Sequence, residues 1–367
     1  MARCRRTVIS TILVSLLLFT ASTLAHAVIC DNPQMLFPAP TPLGVSGGSL
    51  KDITKYYCCS GTLGCLVEDQ ATGTQYILSN NHVLARVNKG KTKKNADLIT
   101  QPGLIDSDCG FAAYNVVATL SKFISVKFGK KINTVDAAIA QVVPGEVDPD
   151  GTIDCIGPVS SQLATPALGL AVQKNGRTSG WTHGTVAAVN VSLIVGYTAT
   201  CGAKKVKLAK FSQQIRIDGN FSQAGDSGSL IVTQEACPRP VALLFAGGTS
   251  PPQTFANPMD LVLAAFTPMN LAVVGACTGA APPPEAAPQP EASASRLAYL
   301  KDLQARHEDA IMAVPGVVGM GIGLAPDGSH RLEIYVKKKT PALLQRLPQT
   351  LDSEKVQVIE TGEVRAF

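Results

Sequence analysis

The sequence predicts an all-β fold, a double β-barrel, followed by a small α+β C-terminal domain. Within residues 56–277, short runs of Val, Ile, Leu, Thr and Ala alternate with turns rich in Gly, Asn, Asp and Pro. Helical periodicity is scarce there until residues 258–266. About 220 residues is a suitable length for one double-barrel domain. After residue 296 the pattern becomes first helix-like and then strand-like, which predicts a second, smaller domain.

The first 55 residues divide into an expected signal peptide and an expected wrapping segment. Residues 1–27 carry three arginines, an apolar run at 8–19 and the small-residue cleavage site at 25–27, the pattern of a secretory signal. The apolar run is short for a membrane span, so an uncleaved anchor is the weaker alternative. The mature protein is therefore expected to be secreted or periplasmic. Residues 28–55, rich in Pro and Gly, are expected to wrap the surface.

The strands predicted for the larger domain are runs of β-branched and aliphatic residues bounded by turn formers. Examples are the runs at residues 61–67, 75–79, 136–143, 186–194, 230–232 and 241–246. Residues 258–266 are expected to form a helix that closes the domain.

The C-terminal part begins after a spacer. Residues 278–295 are rich in Pro and Ala, a composition that resists packing and favours extended conformations. Residues 296–367 are then expected to form the small α+β domain, in the order α-β-β-α-β. Its predicted elements cover residues 297–312, 317–324, 332–336, 341–351 and 356–360.

The charge balance argues against a nucleic-acid partner. The formal net charge is +5, and loss of residues 1–27, which carry three arginines and no acidic residue, lowers it to +2. So small a charge gives little attraction for nucleic acid. No later stretch is long and apolar enough to span a bilayer, so no membrane association is expected after signal cleavage.

The cysteines indicate disulfides rather than a metal site. Ten are present, and loss of Cys4 with the signal leaves nine. In an oxidising compartment disulfides are the default, and an odd number implies at least one free thiol or an intermolecular bond. Cys58, Cys59 and Cys65 lack the spacing and the neighbouring histidines of a zinc site. No metal and no cofactor is expected, and the pairing of the cysteines stays open.

A glycine-flanked serine is the strongest candidate for chemistry. Residues 225–230 read Gly-Asp-Ser-Gly-Ser-Leu, between a loop and an apolar strand. The glycines allow a tight turn, so the amides of Gly225 and Ser227 can converge as an oxyanion hole beside the Ser227 hydroxyl. An ordinary turn rich in Gly and Ser is the alternative. A lipase or esterase is a weaker interpretation, because its nucleophile elbow needs a strand–helix alternation that this sequence lacks.

A base and an orienting acid are available upstream. Outside the C-terminal domain the mature chain holds only His82 and His183, and His82 stands where a predicted strand ends. Asp136 lies among apolar residues, where a carboxylate is costly unless a partner uses it. An imidazole N–H is such a partner and would fix the tautomer in which His82 accepts the serine proton. A structural histidine and a strand-end acid are the alternatives.

Together these residues resemble the trypsin/chymotrypsin-like serine peptidases, in particular their secreted bacterial branch. The order His, Asp, Ser along the chain is that family's order. Residues 77–84 (ILSNNHVL), 134–140 (TVDAAIA) and 225–230 (GDSGSL) are similar to its three motifs, and residues 175–186 to the segment that enters its second barrel. The match spans about residues 56–275. It implies two perpendicular six-stranded β-barrels with the three catalytic side chains in the cleft between them.

The resemblance also implies roles around the site. Phe221 would lie near the base of the pocket for the P1 side chain, where no acid stands, so an uncharged P1 residue is expected. Phe245, Gly247 and Gly248 would belong to the wall on which the substrate backbone pairs as an added strand.

Two departures from the family pattern carry expectations of their own. No cysteine follows His82, so the disulfide that usually braces this histidine is absent or replaced. Gln173 and His183 stand where the α-lytic protease type carries a cysteine pair, so His183 is expected to be structural. Lys174, which aligns with an arginine of that branch, is expected to pair internally with Asp226 and hold the oxyanion loop, the alternative being a solvated loop residue.

The sequence thus predicts a secreted serine endopeptidase that cleaves protein or peptide substrates through an acyl-enzyme intermediate. The alternative is a catalytically silent or autoinhibited fold used as a binding module. Residues 296–367 are expected either to contact the peptidase domain within the same chain, as a folding aid, inhibitor or partner-binding module, or to form an independent tethered domain.

Overall fold

A computed structural model describes residues 30–250, 252–277 and 291–366, and for 291–293 it describes the backbone alone. The predicted signal peptide and residues 278–290 of the predicted spacer lie outside the described residues. No helix in the described part is long and apolar enough to cross a membrane. Strands dominate, which confirms the predicted all-β class with its α+β C-terminal addition.

The strands and helices are numbered in chain order. In the first half they are β1 (Val45–Ser49), β2 (Gly61–Leu63), β3 (Cys65–Asp69), β4 (Thr74–Ser79), α1 (Asn81–Leu84), β5 (Leu98–Gln101), β6 (Asn115–Phe123), β7 (Ile132–Asn133) and β8 (Ala138–Val142). They are followed by β9 (Ala171–Lys174), β10 (Thr182–Thr198), β11 (Val206–Asp218), β12 (Leu230–Thr233), β13 (Pro240–Thr249), β14 (Pro252–Pro258), α2 (Met259–Ala264) and β15 (Leu271–Val273). The C-terminal part adds α3 (Glu291–Met312), β16 (Val317–Leu324), β17 (His330–Val336), α4 (Pro341–Leu344), β18 (Thr350–Leu351), β19 (Glu354–Glu360) and β20 (Val364–Ala366).

The first sheet has eight strands in the order β15-β3-β4-β8-β6-β5-β1-β2. Its inner side is a cluster of buried aliphatic residues that includes Leu66, Ile77, Leu120 and Ile139. Alternation along each strand places these side chains on one side of the sheet, where their burial drives the curling of the strands around them.

The second sheet closes on itself. Strands β10, β9, β12, β13, β14 and β11 follow one another, and β10 also pairs with β11, which completes a ring of six. Register shifts interrupt the β10–β11 ladder at three places, and Asn190 on β10 has a positive φ of 50°. Such bulges increase local twist and help long strands to bend around a barrel.

The C-terminal part joins this second sheet. Strand β16 pairs antiparallel with β10, and β17 and β19 continue the sheet beyond it. The glycines of β16 make room for Tyr335: a Cβ at Gly319 or Gly321 would lie within 3 Å of its ring or hydroxyl. The alternate residues Met320 and Ile322 belong to the same apolar cluster as Leu300 and Leu303 of α3. The division of the chain into domains stays a prediction, whereas the shared sheet is an observation.

A buried ion pair joins the two parts as well. Arg216 of β11 and Glu333 of β17 lie 3.0 Å apart, with side chains 5% and 1% exposed. The Tyr335 hydroxyl donates to the same Glu333 carboxylate. Because an unpaired charge is strongly disfavoured at such a depth, both partners favour the docked arrangement.

Several predicted elements differ in extent from the observed ones. Residues 61–67, predicted as one strand, are interrupted at Gly64, where an added Cβ would overlap the Gly228 carbonyl oxygen. The predicted strand at 136–143 begins only at Ala138, because the Asp136 backbone bonds to side chains instead of a neighbouring strand. Helix α3 begins at Glu291, inside the predicted spacer, and α4 is shorter than predicted. Strands β18 and β20 were not predicted, and neither was β1, which lies buried in the segment that was expected to wrap the surface.

Three disulfides fix the cysteine pairing that the sequence left open. They join Cys58 to Cys109, Cys59 to Cys201 and Cys237 to Cys277. Cys59 and Cys201 both line the cavity that His82 also lines. Among the described residues, Cys65 and Cys155 lie outside disulfides.

Candidate active site

His82 lies on α1, a single helical turn that follows β4 directly. The turn is held from both sides: the Asn81 side chain donates to Asn88 Oδ1 and to the Ile124 carbonyl, each at 2.7 Å. The side chain of His82 is 8% exposed. Its position at the end of a strand agrees with the one predicted, and it is fixed by polar contacts that sequence spacing does not reveal.

Asp136 is fully buried and accepts three hydrogen bonds through its carboxylate. Its Oδ2 lies 2.7 Å from His82 Nδ1, and its Oδ1 accepts from the His82 backbone N–H at 3.2 Å. The third donor is the Tyr197 hydroxyl, at 2.7 Å from Oδ2. A buried carboxylate needs such donors to stay charged. The arrangement occupies Nδ1 of His82, so Nε2 is the ring nitrogen suited to accept a proton.

Tyr197 is the member of this cluster that the sequence did not reveal. It stands on β10, its ring in a T-shaped contact with His82 at 6.0 Å between centroids. Burial, and then the nearby Asp136 carboxylate, raise the pKa of Tyr197 well above its usual value, so the hydroxyl keeps its proton and can donate. A lone tyrosine on a long strand carries no motif, and only the register of β10 brings it to the acid.

Ser227 lies on a loop built by glycines. Gly225 and Gly228 have φ values of +103° and +96°, which residues with a side chain rarely adopt. The Ser227 hydroxyl donates to the Phe245 carbonyl at 3.2 Å. Within the described part of the chain, the amides of Gly225 and Ser227 donate no hydrogen bond, so both are available to an oxyanion.

The Ser227 loop packs directly against the strand that neighbours His82. The Thr62 amide donates to the Ser227 carbonyl at 2.8 Å. A Cβ at Gly61 would lie 2.6 Å from Val83 and 3.0 Å from that same carbonyl oxygen. Glycine is therefore needed at 61 for the residue after His82 and the backbone of Ser227 to approach each other this closely.

Lys174 and Asp226 form a buried pair beneath the loop. Lys174 Nζ lies 3.5 Å from Asp226 Oδ2, and both side chains are 0% exposed. Burial lowers the pKa of Lys174, and the Asp226 carboxylate opposes that shift. Asp226 also accepts from the backbone N–H groups of Thr178, Ser179 and Gln223 at 2.8, 3.0 and 2.8 Å. The expected internal pairing of Lys174 is thus present, and Asp226 ties the loop to its neighbour.

A cavity of about 250 Å³ opens beside these groups, lined among others by His82, Tyr197, Gly225 and Ala366. Asp52 also lines it, and burial raises the pKa of this carboxyl to about 6 although Arg86 and His82 oppose the shift. As the pH rises through about 6, Asp52 loses its proton and the cavity gains a negative charge.

The substrate-binding residues expected from sequence fall into two places. Phe245, Gly247 and Gly248 lie on β13. The Phe245 carbonyl accepts a hydrogen bond from the Ser227 hydroxyl, which brings this strand beside the serine. Phe221 is fully buried in the core of the second sheet and contacts Gly184, whose added Cβ would lie 2.7 Å from its ring. It is not part of the lining of the cavity beside His82. Gln173 and His183 face each other across β9 and β10.

The solved structures to which the chain is similar include several proteases. One is a glutamic acid specific serine protease (18% identity, 64% of this chain and 100% of that chain, TM-score 0.43). Others are protease A of Thermobifida fusca (16%, 64% and 98%, TM-score 0.39) and an α-lytic protease homologue, N4 (19%, 64% and 98%, TM-score 0.40). In fold, the chain resembles the bacterial chymotrypsin-like serine proteases. No protein-family model and no curated protein matches it.

Proposed function

We propose that this protein is a secreted serine endopeptidase that hydrolyses peptide bonds through His82, Asp136 and Ser227. The observation that carries the proposal is the fully buried Asp136 carboxylate, bonded at 2.7 Å to His82 Nδ1. Placing a carboxylate there is costly unless it does something for the histidine. Asp136 would orient the His82 ring and balance the positive charge that the ring gains when it accepts a proton.

The proposed acylation begins at Ser227. The Ser227 hydroxyl turns from Phe245 toward His82, loses its proton to Nε2 and attacks the carbonyl carbon of the scissile bond. The carbonyl oxygen becomes an oxyanion, which the amides of Gly225 and Ser227 stabilise. The C–N bond then breaks, Nε2 returns the proton to the leaving amine, and the acyl group remains on Ser227 as an ester.

Deacylation repeats the sequence with water. Nε2 takes a proton from the water as its oxygen attacks the ester carbonyl, and the tetrahedral intermediate collapses to a carboxylic acid while Ser227 recovers its proton. Asp136 keeps its negative charge throughout, because His82 and Tyr197 donate to it at both stages.

The substrate would be an extended peptide of uncharged P1 residue. Strand β13 passes Ser227 at Phe245, and an antiparallel peptide paired with the residues that follow would bring a carbonyl group to the hydroxyl. Secretion is part of the proposal because the predicted signal precedes a chain with three disulfides.

The test is reaction with a fluorophosphonate, which phosphonylates only an activated serine. The full chain should gain one adduct, which peptide mapping places on Ser227. His82→Ala should label at least about 100-fold more slowly, since the base no longer removes the proton. Asp136→Asn should be slowed in the same way, because it favours the wrong histidine tautomer.

Thr72→Ala, on the exposed turn between β3 and β4, serves as a control outside the site and should label as the parent does. Absence of an adduct in a folded chain would favour the silent binding module. An adduct that survives His82→Ala unchanged would contradict the proposed base.

A further inference from the structure

The last described strand of the chain lies on the surface that we assign to substrate. Strand β20 pairs antiparallel with β13, with Ala246 opposite Ala366, Gly247 opposite Arg365 and Gly248 opposite Val364. It also forms a parallel bridge between Arg365 and Gly196 of β10. Addition of an extended strand to an exposed sheet edge is a common way for a protein to bind a peptide.

The direction of β20 is that of the acyl side of a substrate. Ala366, the last described residue, lies opposite Ala246, the neighbour of the Phe245 carbonyl to which Ser227 donates. Ala366 also lines the cavity that contains His82 and Gly225. The strand therefore runs from Val364 toward the candidate nucleophile, as residues on the N-terminal side of a scissile bond would.

Contacts on both sides hold the strand there. The Val364 side chain is 3% exposed. Before it, the amides of Thr249 and Ser250 donate to the carbonyls of Glu363 and Thr361, at 3.1 and 3.3 Å. The Thr361 amide in turn donates to the Val336 carbonyl of β17 at 3.0 Å. The strand is thus fixed to β13 at one side and to the C-terminal part at the other.

The C-terminal part is itself fixed to the second barrel. Strand β16 is paired with β10, and the buried Arg216–Glu333 pair crosses the same boundary. Because the C-terminal part is docked on the barrel, β20 is held close to β13. Its pairing with β13 therefore costs little further conformational entropy.

We propose that β20 is an internal inhibitor that fills the substrate groove of its own chain, an inference that rests on the proposed function. The groove would bind extended peptides in which an aliphatic residue stands two positions before a small residue. Val364 and Ala366 have this arrangement in β20. A strand present at ten times its dissociation constant fills the groove about nine-tenths of the time. Its release should therefore raise kcat/KM for a peptide substrate about tenfold or more.

The first experiment compares the full chain with a variant that ends at Glu363. A mixture of short fluorogenic peptides with uncharged P1 residues serves as substrate. The shortened chain should cleave at least about tenfold faster. Because shortening could impair folding, a matched pair of point variants repeats the test in the full-length chain. Arg365→Pro removes the backbone N–H within the pairing and should activate. Arg365→Ala keeps that N–H and should not activate, since within the described part of the chain the Arg365 side chain bonds to the exposed Glu363 alone.

A binding measurement separates this inference from the proposed function. A fluorescent peptide with the sequence of residues 361–367 should bind the shortened chain, as followed by anisotropy, and should not bind the full chain. A scrambled peptide should bind neither. Fluorophosphonate labelling of Ser227 in the shortened chain reports the proposed function separately, because the small probe needs no strand pairing.

The outcomes are distinct. Selective peptide binding without labelling of Ser227 would support groove occupation and reject the endopeptidase. Labelling of Ser227 with equal cleavage rates in all four chains, and no selective binding of the peptide, would overturn the internal inhibitor and leave the endopeptidase standing.

Discussion

Replacement of Lys174 by methionine tests whether the buried pair holds the nucleophile loop. Methionine has a similar length and no charge, so Lys174→Met leaves the Asp226 carboxylate buried without its cation. Breaking a buried pair in this way costs about 3–5 kcal/mol. Asp226 keeps three backbone N–H donors and the Ser179 hydroxyl, at 2.5 Å, so the lower end of that range applies. We expect a loss of about 3 kcal/mol.

The loss is measurable by thermal unfolding. At about 2–4 °C per kcal/mol, the midpoint should fall by roughly 6–12 °C. The rate of fluorophosphonate labelling should also fall, because the amides of Gly225 and Ser227 flank Asp226. In the double variant Lys174→Met/Asp226→Asn no buried charge remains, so most of the lost stability should return.

A Lys174→Met midpoint within about 1 °C of the parent would refute the argument. So would a double variant whose destabilisation equals the sum of its two single variants, since groups in contact should not behave additively.

Three further substitutions test the rest of the site. Tyr197→Phe removes one hydrogen-bond donor to Asp136 and keeps the ring beside His82. It should lower the free energy of unfolding, measured with denaturant, by about 1.5–3 kcal/mol and lower kcat/KM about tenfold. Unchanged values would show that the hydroxyl is not needed. Gly225→Ala adds a Cβ to a residue whose φ is +103°, and this Cβ would collide with Thr178. The substitution should therefore displace the Gly225 amide and lower kcat by about 10²-fold, while the far-UV circular dichroism spectrum stays the same. An unchanged kcat would exclude this amide as an oxyanion donor. Asp52 holds a proton up to about pH 6 in the folded state and only to about pH 4 unfolded, so the stability of the parent should fall as pH rises through this window, by at most about 3 kcal/mol. Asp52→Asn should flatten that part of the stability–pH curve, and an equal slope in both proteins would contradict the shift.

Local pattern predicted much of the fold. Strand β16, at residues 317–324, has the predicted bounds because its run of apolar residues and glycines is buried along almost its whole length. The residues that depart from regular pairing were harder. Asp136 looked like part of a strand, but Asn257 accepts from its amide and Asn80 donates to its carbonyl, and both partners are distant in sequence.

The site was predictable where chemistry depends on residue type and order. His82, Asp136 and Ser227 carry recognisable neighbours, and the Lys174–Asp226 pair followed from the resemblance. Tyr197 and β20 could not be found in this way. Tyr197 reaches Asp136 through the register of a seventeen-residue strand with bulges. Strand β20 has three residues, and its pairing depends on where the whole C-terminal part docks.

A kinetic double-mutant cycle shows whether His82 and Ser227 act as one catalytic unit. The cleavage rate of a peptide substrate is measured for the chain ending at Glu363 and for its Ser227→Ala, His82→Ala and doubly substituted forms. If the two side chains share one step, each single variant should lose nearly all catalysis, and the double variant should lose little more. Losses that multiply in the double variant, or a Ser227→Ala form that still cleaves at the parent rate, would contradict the account.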